Sequence, residues 1–559
     1  RVQLTINDKL VLEADGDNLL NAKPALAALH KGYNWMVIKY ESPPDGDSRL
    51  RLLRAPMGDH SLSAMRPQQG SVPMDMLPPE MLFHGWHESD EDIPYRAKVY
   101  PAPGDKSARR QSAYAMPIAA MLRNGRELFA ASRCARCHGP VVDAEQTPHA
   151  MPELLADTPR LSGLRHRLTP EWVSAWLLDP DSVRNDHRMP DMLAGYDEAT
   201  RKQHAADLTS WLFSQENNGD ANQALAIAQN GDADTGQQLF EDLGCITCHH
   251  FEKPGMDDDY DRLSLDFVAN KFTADGLTAF LTAPHANYKY SRMPDFHLDT
   301  EQVTALSAYL NKAADAQLDV DQALPAGDPT RGRDLFITVG CANCHLDGRD
   351  QPPVLVRPAV EIFTNTGWPR PNEGCLLTDD QPPGVPQYTF TKDERNSLQW
   401  LLSYEPGGML QSSSPAESTE RLIRQLRCTS CHNRDGQQSP RRLIVVEEGR
   451  RGLVPEHIPN LTWAGEKLKT DWIARLLKGE IDEPMRPWNP ARMPAFPAYA
   501  DVIARGLAAQ HGLLPDDDSP LVADDSLVDE GRELMLPAHL DCRQCHGVGS
   551  DQPRGDEKT

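Results

Sequence analysis

Apolar and polar positions alternate at the front of the chain. "RVQLTIND" and "KLVLEAD" place apolar residues at every second position on either side of an Asn-Asp turn, which predicts two antiparallel strands. "NWMVIKYESPPDGDSRLRLLRAP" predicts two more about a Pro-Pro-Asp-Gly turn. Residues 1–85 therefore read as a small antiparallel β-sandwich, partial in extent. "PMDMLPPEMLFHGW" closes it or opens the linker, and residues 86–120, rich in Pro, Ser and charge, are the linker.

From residue 121 the period becomes helical. "GRELFAASRC", "GQQLFEDLGC" and "GRDLFITVGC" place Gly125, Gly236 and Gly332 four residues before Phe129, Phe240 and Phe336, so each pair shares one helix face. A small residue there lets a second helix cross closely. "ADLTSWLF", "LSAYLNKA" and "SLQWLLS", each with an aromatic on an apolar stripe, predict the helices that cross. A fourth stretch has Thr419 and Ile423 in the Gly and Phe places, and a fifth, "GRELMLPAHLDC", carries two extra residues before its cysteine. The chain thus reads as multidomain and mainly α: modules at 121–218, 229–318, 327–405 (atypical), 417–514 and the start of a fifth at 527–559.

At 559 residues the chain exceeds what one core organises. No run of about 20 apolar residues appears, so no transmembrane segment is expected. The start lacks an apolar h-region and a cleavage site, so it is not a signal peptide and reads as a mature or trimmed piece. A formal net charge of −25 argues against a nucleic-acid partner. It suits a basic protein partner or simply well-solvated faces. No nucleotide-binding Gly-rich loop, hydrolase elbow or kinase set is present.

Ten of the eleven cysteines fall into five copies of C-x-x-C-H: Cys134, Cys137, His138; Cys245, Cys248, His249; Cys341, Cys344, His345; Cys428, Cys431, His432; and Cys542, Cys545, His546. Paired C-x-x-C units suit zinc, and a single one suits a redox dithiol, but neither calls for the histidine. With 19 His in 559 residues, five of five by chance is on the order of 10⁻⁸. C-x-x-C-H is the c-type haem signature: two thiols add to the two vinyl groups, and the next residue brings its imidazole under the iron. Five covalently bound haem c are expected. From one first Cys to the next the steps are 245−134 = 111, 341−245 = 96, 428−341 = 87 and 542−428 = 114 residues, one small module each.

The repeat resembles the class I cytochrome c fold, in which an N-terminal helix runs into C-x-x-C-H and is crossed by a C-terminal helix. The resemblance implies a methionine as sixth iron ligand from a loop before the last helix. "HRMPDM", "SRMPDF" and "ARMPAF" offer Met189, Met293 and Met493, lying 189−138 = 51, 293−249 = 44 and 493−432 = 61 residues beyond their histidines. Met485 competes with Met493 but lacks the Arg-Met-Pro match. It also implies a backbone carbonyl near Pro-x-Leu to hold the proximal His; Pro159 with Leu161, Pro353 with Leu355 and Pro459 with Leu461 are candidates, while the second unit has "DRLSL". The third unit has no Met in its loop, where "WPRPNEGCLLTDDQPPGVPQYTF" stands. Its iron takes Cys375, a His from elsewhere, Met409, or nothing; a buried free thiol at Cys375 is the plain alternative. The fifth unit has 559−546 = 13 residues after its His, so a continuation of the chain or a neighbour completes it, with His539 a nearby imidazole. "GYNWMVIKY" gives the first domain a resemblance to protective-antigen-type β-sandwiches, implying docking or carbohydrate binding; His84 and His87 lie at its end.

These resemblances imply a pentahaem electron carrier between a redox partner, a dehydrogenase or quinol oxidiser, and a terminal acceptor, in the periplasm or at the cell surface. It would be an electron-transfer subunit more than a stand-alone enzyme. The alternative is a subunit of a larger redox complex, a homo- or hetero-oligomer, with the atypical haem of the third module reactive.

Overall fold

The computed structural model describes residues 1–6, 9–15, 25, 27, 36–40, 53–54, 75–76, 121, 124–138, 151–154, 158–184, 187–215, 231–254, 256, 258–314, 318, 324–345, 374–376, 382–403, 415–449, 458–481, 491–511, 513 and 525–544. His84, His87, Pro353, Leu355, Met409, Met485, Cys545 and His546 lie outside them. The chain divides into two units, residues 1–515 and 516–559.

At the front, β1 (Val2–Ile6) lies between β2 (Lys9–Ala14) and β3 (Met36–Tyr40), antiparallel to both. Alternation puts Val2 and Leu4 on one face, where both are buried. β4 (Leu53–Arg54) pairs antiparallel with β5 (Asp75–Met76) as a separate two-stranded sheet. The expected sandwich is thus described as a small antiparallel sheet and one short pair.

The helices begin where the sequence supplies caps. Thr169 and Pro170 open α2 (Pro170–Leu178), and Asp197 opens α3 (Glu198–Ser214) by accepting from the Thr200 amide at 3.1 Å. Asp232 opens α4 (Ala233–Asp242). Between α4 and the next crossing helix lies α5 (Ala274–Thr282), capped by Thr273. A capping box of Asp299 and Gln302 opens α6 (Thr300–Ala313), and Asp328 with Pro329 opens α7 (Pro329–Thr338). A first helix, α1, covers 124–131. Later come α8 (Lys392–Ser403), α9 (Pro415–Gln425), α10 (Thr470–Lys478) and α11 (Ala500–Gln510), and in the second unit α12 (Asp525–Leu534).

Two of the crossings are local. α4 crosses α6 at Gly236, where a Cβ would run into the Ala305 carbonyl, and Phe240, Val303, Leu306 and Leu310 fill the core beneath. α9 crosses α11 with the roles reversed: Gly506 on α11 lies over Thr419, whose hydroxyl donates to the Val502 carbonyl at 2.9 Å. Thr419 is tolerated in the Gly place because its partner helix supplies the glycine.

The other two crossings are exchanged, which corrects the pairing expected inside 121–218 and 327–405. α7 crosses α3: Gly332 rests on the Asp207 carbonyl, and Phe336 packs on Trp211 with ring centroids 4.6 Å apart. α1 crosses α8: Gly125 rests on the Ser397 carbonyl, and Leu128 and Phe129 share a core with Phe390, Leu398 and Leu401. The residues beside the glycines explain the choice. Arg331, next to Gly332, grips the buried Asp207 through two hydrogen bonds of 2.9 Å. Asn124, next to Gly125, donates to the Ser397 hydroxyl at 3.0 Å. Pairing in chain order would set Asn124 against a buried carboxylate and leave it without its cation, a cost of several kcal/mol.

Candidate functional site

All five cysteine turns start from the same backbone device. The residue before the first Cys has positive φ: Arg133 at 58°, Gly244 at 90°, Gly340 at 98°, Arg427 at 58° and Asp541 at 48°. A left-handed residue stops the preceding helix and turns the chain into a short 3₁₀ or helical turn. Arg and Asp there store strain of about 1 kcal/mol or more, a cost accepted where the turn is required. Within the turns the His amide donates to the first Cys carbonyl at 3.0 Å in the motifs of Cys134, Cys341 and Cys428. The glycines at 244 and 340 were readable signals of this device; Arg133, Arg427 and Asp541 were not.

In the first unit of the chain a cavity of 2410 Å³ runs between the helices. Pockets for one small ligand hold about 300–1,000 Å³, so this one has room for several. The turns 245–249, 341–345 and 428–432 line it, together with Met189, Met293 and Met493. The turn of Cys134 and Cys137 does not, nor does Cys375.

Two histidines in the cavity wall are already oriented. His345 Nδ1 lies 3.2 Å from the Pro159 carbonyl and His432 Nδ1 lies 2.7 Å from the Pro459 carbonyl. Donation from Nδ1 leaves Nε2 with its lone pair, the tautomer a metal ligand needs. Pro159 therefore serves His345, a second consequence of the exchange, and Thr158 adds a hydrogen bond to the Cys344 carbonyl. In the second motif His249 joins a parallel strand pair instead, in which the Leu263 amide of "DRLSL" donates to the Cys248 carbonyl at 2.8 Å. Burial pushes the His249 imidazole down to about 4, so it is neutral at pH 7, as ligation requires.

The methionines differ in their surroundings. Met293 packs against the α4–α6 core, as does Cys245. Met189 accepts a hydrogen bond from the Trp176 indole of α2 at 2.9 Å. Met493 is exposed. Their loops pair: Asp295 and Ala495 exchange two backbone hydrogen bonds of 3.0 and 2.7 Å, and Asp191 exchanges two of 2.8 and 2.9 Å with Gln387.

The cysteine turns also pair. Thr247 Oγ1 lies 3.3 Å from Cys431 Sγ, and Asn343 Nδ2 lies 3.4 Å from Cys137 Sγ. The second and fourth motifs thus touch, as do the first and third. Burial pushes the Cys245, Cys341 and Cys428 thiols up to about 12, and Cys344 and Cys375 to about 11, so at neutral pH they stay protonated. Among the described residues no cluster of three or more His, Cys, Asp or Glu is placed to hold a metal ion. Cys375 sits in a short turn, Gly374–Leu376, within electrostatic reach of Cys134 and Cys137 of the first motif. In the second unit Cys542 opens its own turn, and His539 faces Glu533 at 3.9 Å as an exposed pair.

Residues 233–314, from α4 through Cys245, His249 and Met293 to the end of α6, match the family model described as Cytochrome c. Neither a curated protein nor a solved structure matches the chain. A cytochrome c domain is therefore present, and it implies covalently bound haem c, electron transfer and redox partners. The donor set fits that group: cysteine pairs, imidazoles oriented at His345 and His432, and three thioethers line one cavity. No helix among the described residues is long and apolar enough to cross a membrane.

Proposed function

We propose that the chain is a pentahaem c-type cytochrome that carries electrons between a donor and a terminal acceptor outside the cytoplasm. The donor is a redox protein such as a dehydrogenase or quinol oxidiser. Haem is held at Cys134 and Cys137, Cys245 and Cys248, Cys341 and Cys344, Cys428 and Cys431, and Cys542 and Cys545, with His138, His249, His345, His432 and His546 as imidazole ligands. Met293 joins His249, Met493 joins His432, and Met189 supplies a third thioether.

The observation that carries this reading is the cavity whose wall holds three cysteine–histidine turns and three Arg-Met-Pro methionines. Bound haem supplies reversible one-electron chemistry. The residues do the rest: Pro159 and Pro459 fix imidazole orientation, and the thioethers favour the ferrous state. The touching motifs, Thr247 on Cys431 and Asn343 on Cys137, favour carriage over isolated storage, because neighbouring attachment points keep cofactors close.

Intact mass after denaturation should exceed that of the bare chain by five haems. Near-infrared titration should count three methionine–iron bands, or four if the fifth site also takes a methionine. Ten alkylatable thiols in the motifs, with no added mass, would sink the proposal.

A second reading, a subunit of a larger redox assembly, has one observation in its favour. In the second unit Leu527 is 64% exposed and Leu540 69%, and a Cβ on Gly531 would meet nothing within 4 Å. Among the described residues no helix lies over that face of α12. Light scattering on the purified chain decides: a larger particle supports an assembly, a monomer at all concentrations removes it.

A further inference from the structure

We infer that the haem at Cys134 and Cys137 is the one without a methionine, that its open face binds small neutral ligands, and that Met189 serves the haem at Cys341 and Cys344. The inference rests on the multihaem reading above.

The loop pairing identifies the vacant place. Asp295 stands two residues after Met293 and Ala495 two after Met493, and these two residues bridge each other. The same bridge joins Asp191, two residues after Met189, to Gln387. The residue two before Gln387 is Val385, and Pro386 follows it as Pro190, Pro294 and Pro494 follow the methionines. "GVPQY" is thus the fourth methionine loop with valine at the ligand place. A valine side chain has no lone pair to offer.

The helix exchange says which haem this loop serves. α8, which follows the loop, crosses α1, and α1 runs into Cys134. Tyr388, three residues beyond Val385, packs in that same core beside Cys134, and its hydroxyl donates to the Ser132 carbonyl at 3.1 Å. Tyr388 is therefore engaged elsewhere. On the other side, α7 carries Cys341 onto α3, Pro159 holds His345, and Met189 lines the cavity with them. Cys375 reaches the first motif too, and Met151 is buried in the same core as Cys134, but Cys375 lies ten residues before the ligand place of the loop and Met151 lies outside that loop altogether.

The test is carbon monoxide binding to the dithionite-reduced full chain, counted per chain by the Soret change, with methionine–iron bands counted in the oxidised protein. Val385→Met should remove one carbon monoxide site and add one methionine band. Cys134→Ser with Cys137→Ser should remove that carbon monoxide site and leave three methionine bands. Cys341→Ser with Cys344→Ser should do the reverse, losing one band and keeping the site. Cys375→Ala should change neither count. The inference is overturned if Cys134→Ser with Cys137→Ser leaves carbon monoxide binding intact, or if Cys375→Ala opens one new site. A chain that carries no haem mass sinks the proposed function itself, a result that the haem count separates from these.

Discussion

The α4–α6 and α9–α11 crossings differ from the α1–α8 and α7–α3 crossings in one respect. The first two close on neighbouring sequence, while the second two trade partners across more than a hundred residues. All four use a small residue on one helix packed against the backbone or side chain of the other. That face is generic, so it cannot choose between α3 and α8. The choice falls to the polar residue beside the glycine: Arg331 for Asp207 and Asn124 for Ser397. In α4 the residue beside Gly236 is Thr235, and the carbonyl it meets belongs to Ala305, with no buried charge to match. Apolar packing sets that helices cross; a buried carboxylate sets which ones.

The comparison breaks most visibly under truncation. Residues 121–218 expressed alone should stay unfolded, since α1 lacks α8 and α3 lacks α7. Residues 229–318 carry both α4 and α6 and should gain helix and a methionine–iron band on haem attachment. Far-ultraviolet circular dichroism of the two fragments checks this. Equal folding of both would show that the exchange is dispensable.

A smaller effect comes from filling the crossing. Gly332→Leu drives a side chain into the Asp207 carbonyl, and backbone cannot step aside as a side chain can. The expected cost is about 3 kcal/mol, the upper part of the overpacking range. Denaturant titration should give a similar loss for Gly236→Leu, because both glycines meet a carbonyl.

Much of this site was legible beforehand. The C-x-x-C-H turns, the Arg-Met-Pro loops and the Gly-aromatic faces are short local patterns whose chemistry dictates their spacing. The partner of each crossing helix was not legible, because Gly125 and Gly332 sit in nearly identical stretches and the deciding contacts, Arg331 to Asp207 and Asn124 to Ser397, span 124 and 273 residues. "GVPQY" was visible but lacked the methionine that marks the other loops; only its backbone bridge to Asp191 aligns Val385 with them. Cys375 is the odd thiol of the sequence, and the structure brings it within electrostatic reach of Cys134 and Cys137 of the first motif.

The ion pair offers a test specific to the exchanged half. Burial works to raise the Asp207 carboxyl, but Arg331, the Asp328 amide and Gln203 outweigh it and hold it below the ordinary carboxylate value. A depressed folded value means the stabilisation is complete above the unfolded value of about 3.9 and is lost as pH falls through the folded one. Acid should therefore loosen α7 before α4, seen as earlier amide exchange in Pro329–Thr338 than in Ala233–Asp242. Asp207→Asn should erase that order and cost about 1.5–3 kcal/mol at neutral pH, the range for charge-assisted hydrogen bonds. Unchanged acid sensitivity in Asp207→Asn would remove the ion pair from the account.

The smallest effect separates α12 from α1, α4, α7 and α9, the helices that run into a cysteine turn and are crossed by a second helix. Gly531 stands where Gly125, Gly236 and Gly332 stand, four residues before Met535 in the Phe place, yet a Cβ on it meets nothing within 4 Å. A glycine inside a helix costs about 1 kcal/mol against alanine when no close approach needs it. Gly531→Ala should thus stabilise α12 by roughly 0.5–1 kcal/mol in the isolated chain. The sign reverses if a partner helix lands on that face, because the added methyl would then meet backbone as it would at Gly332. Measuring the substitution in the purified chain and again in whatever assembly the protein forms therefore reads the state of the fifth unit: stabilisation in both leaves its crossing face bare, and a loss confined to the assembly marks the face as the site where another helix docks.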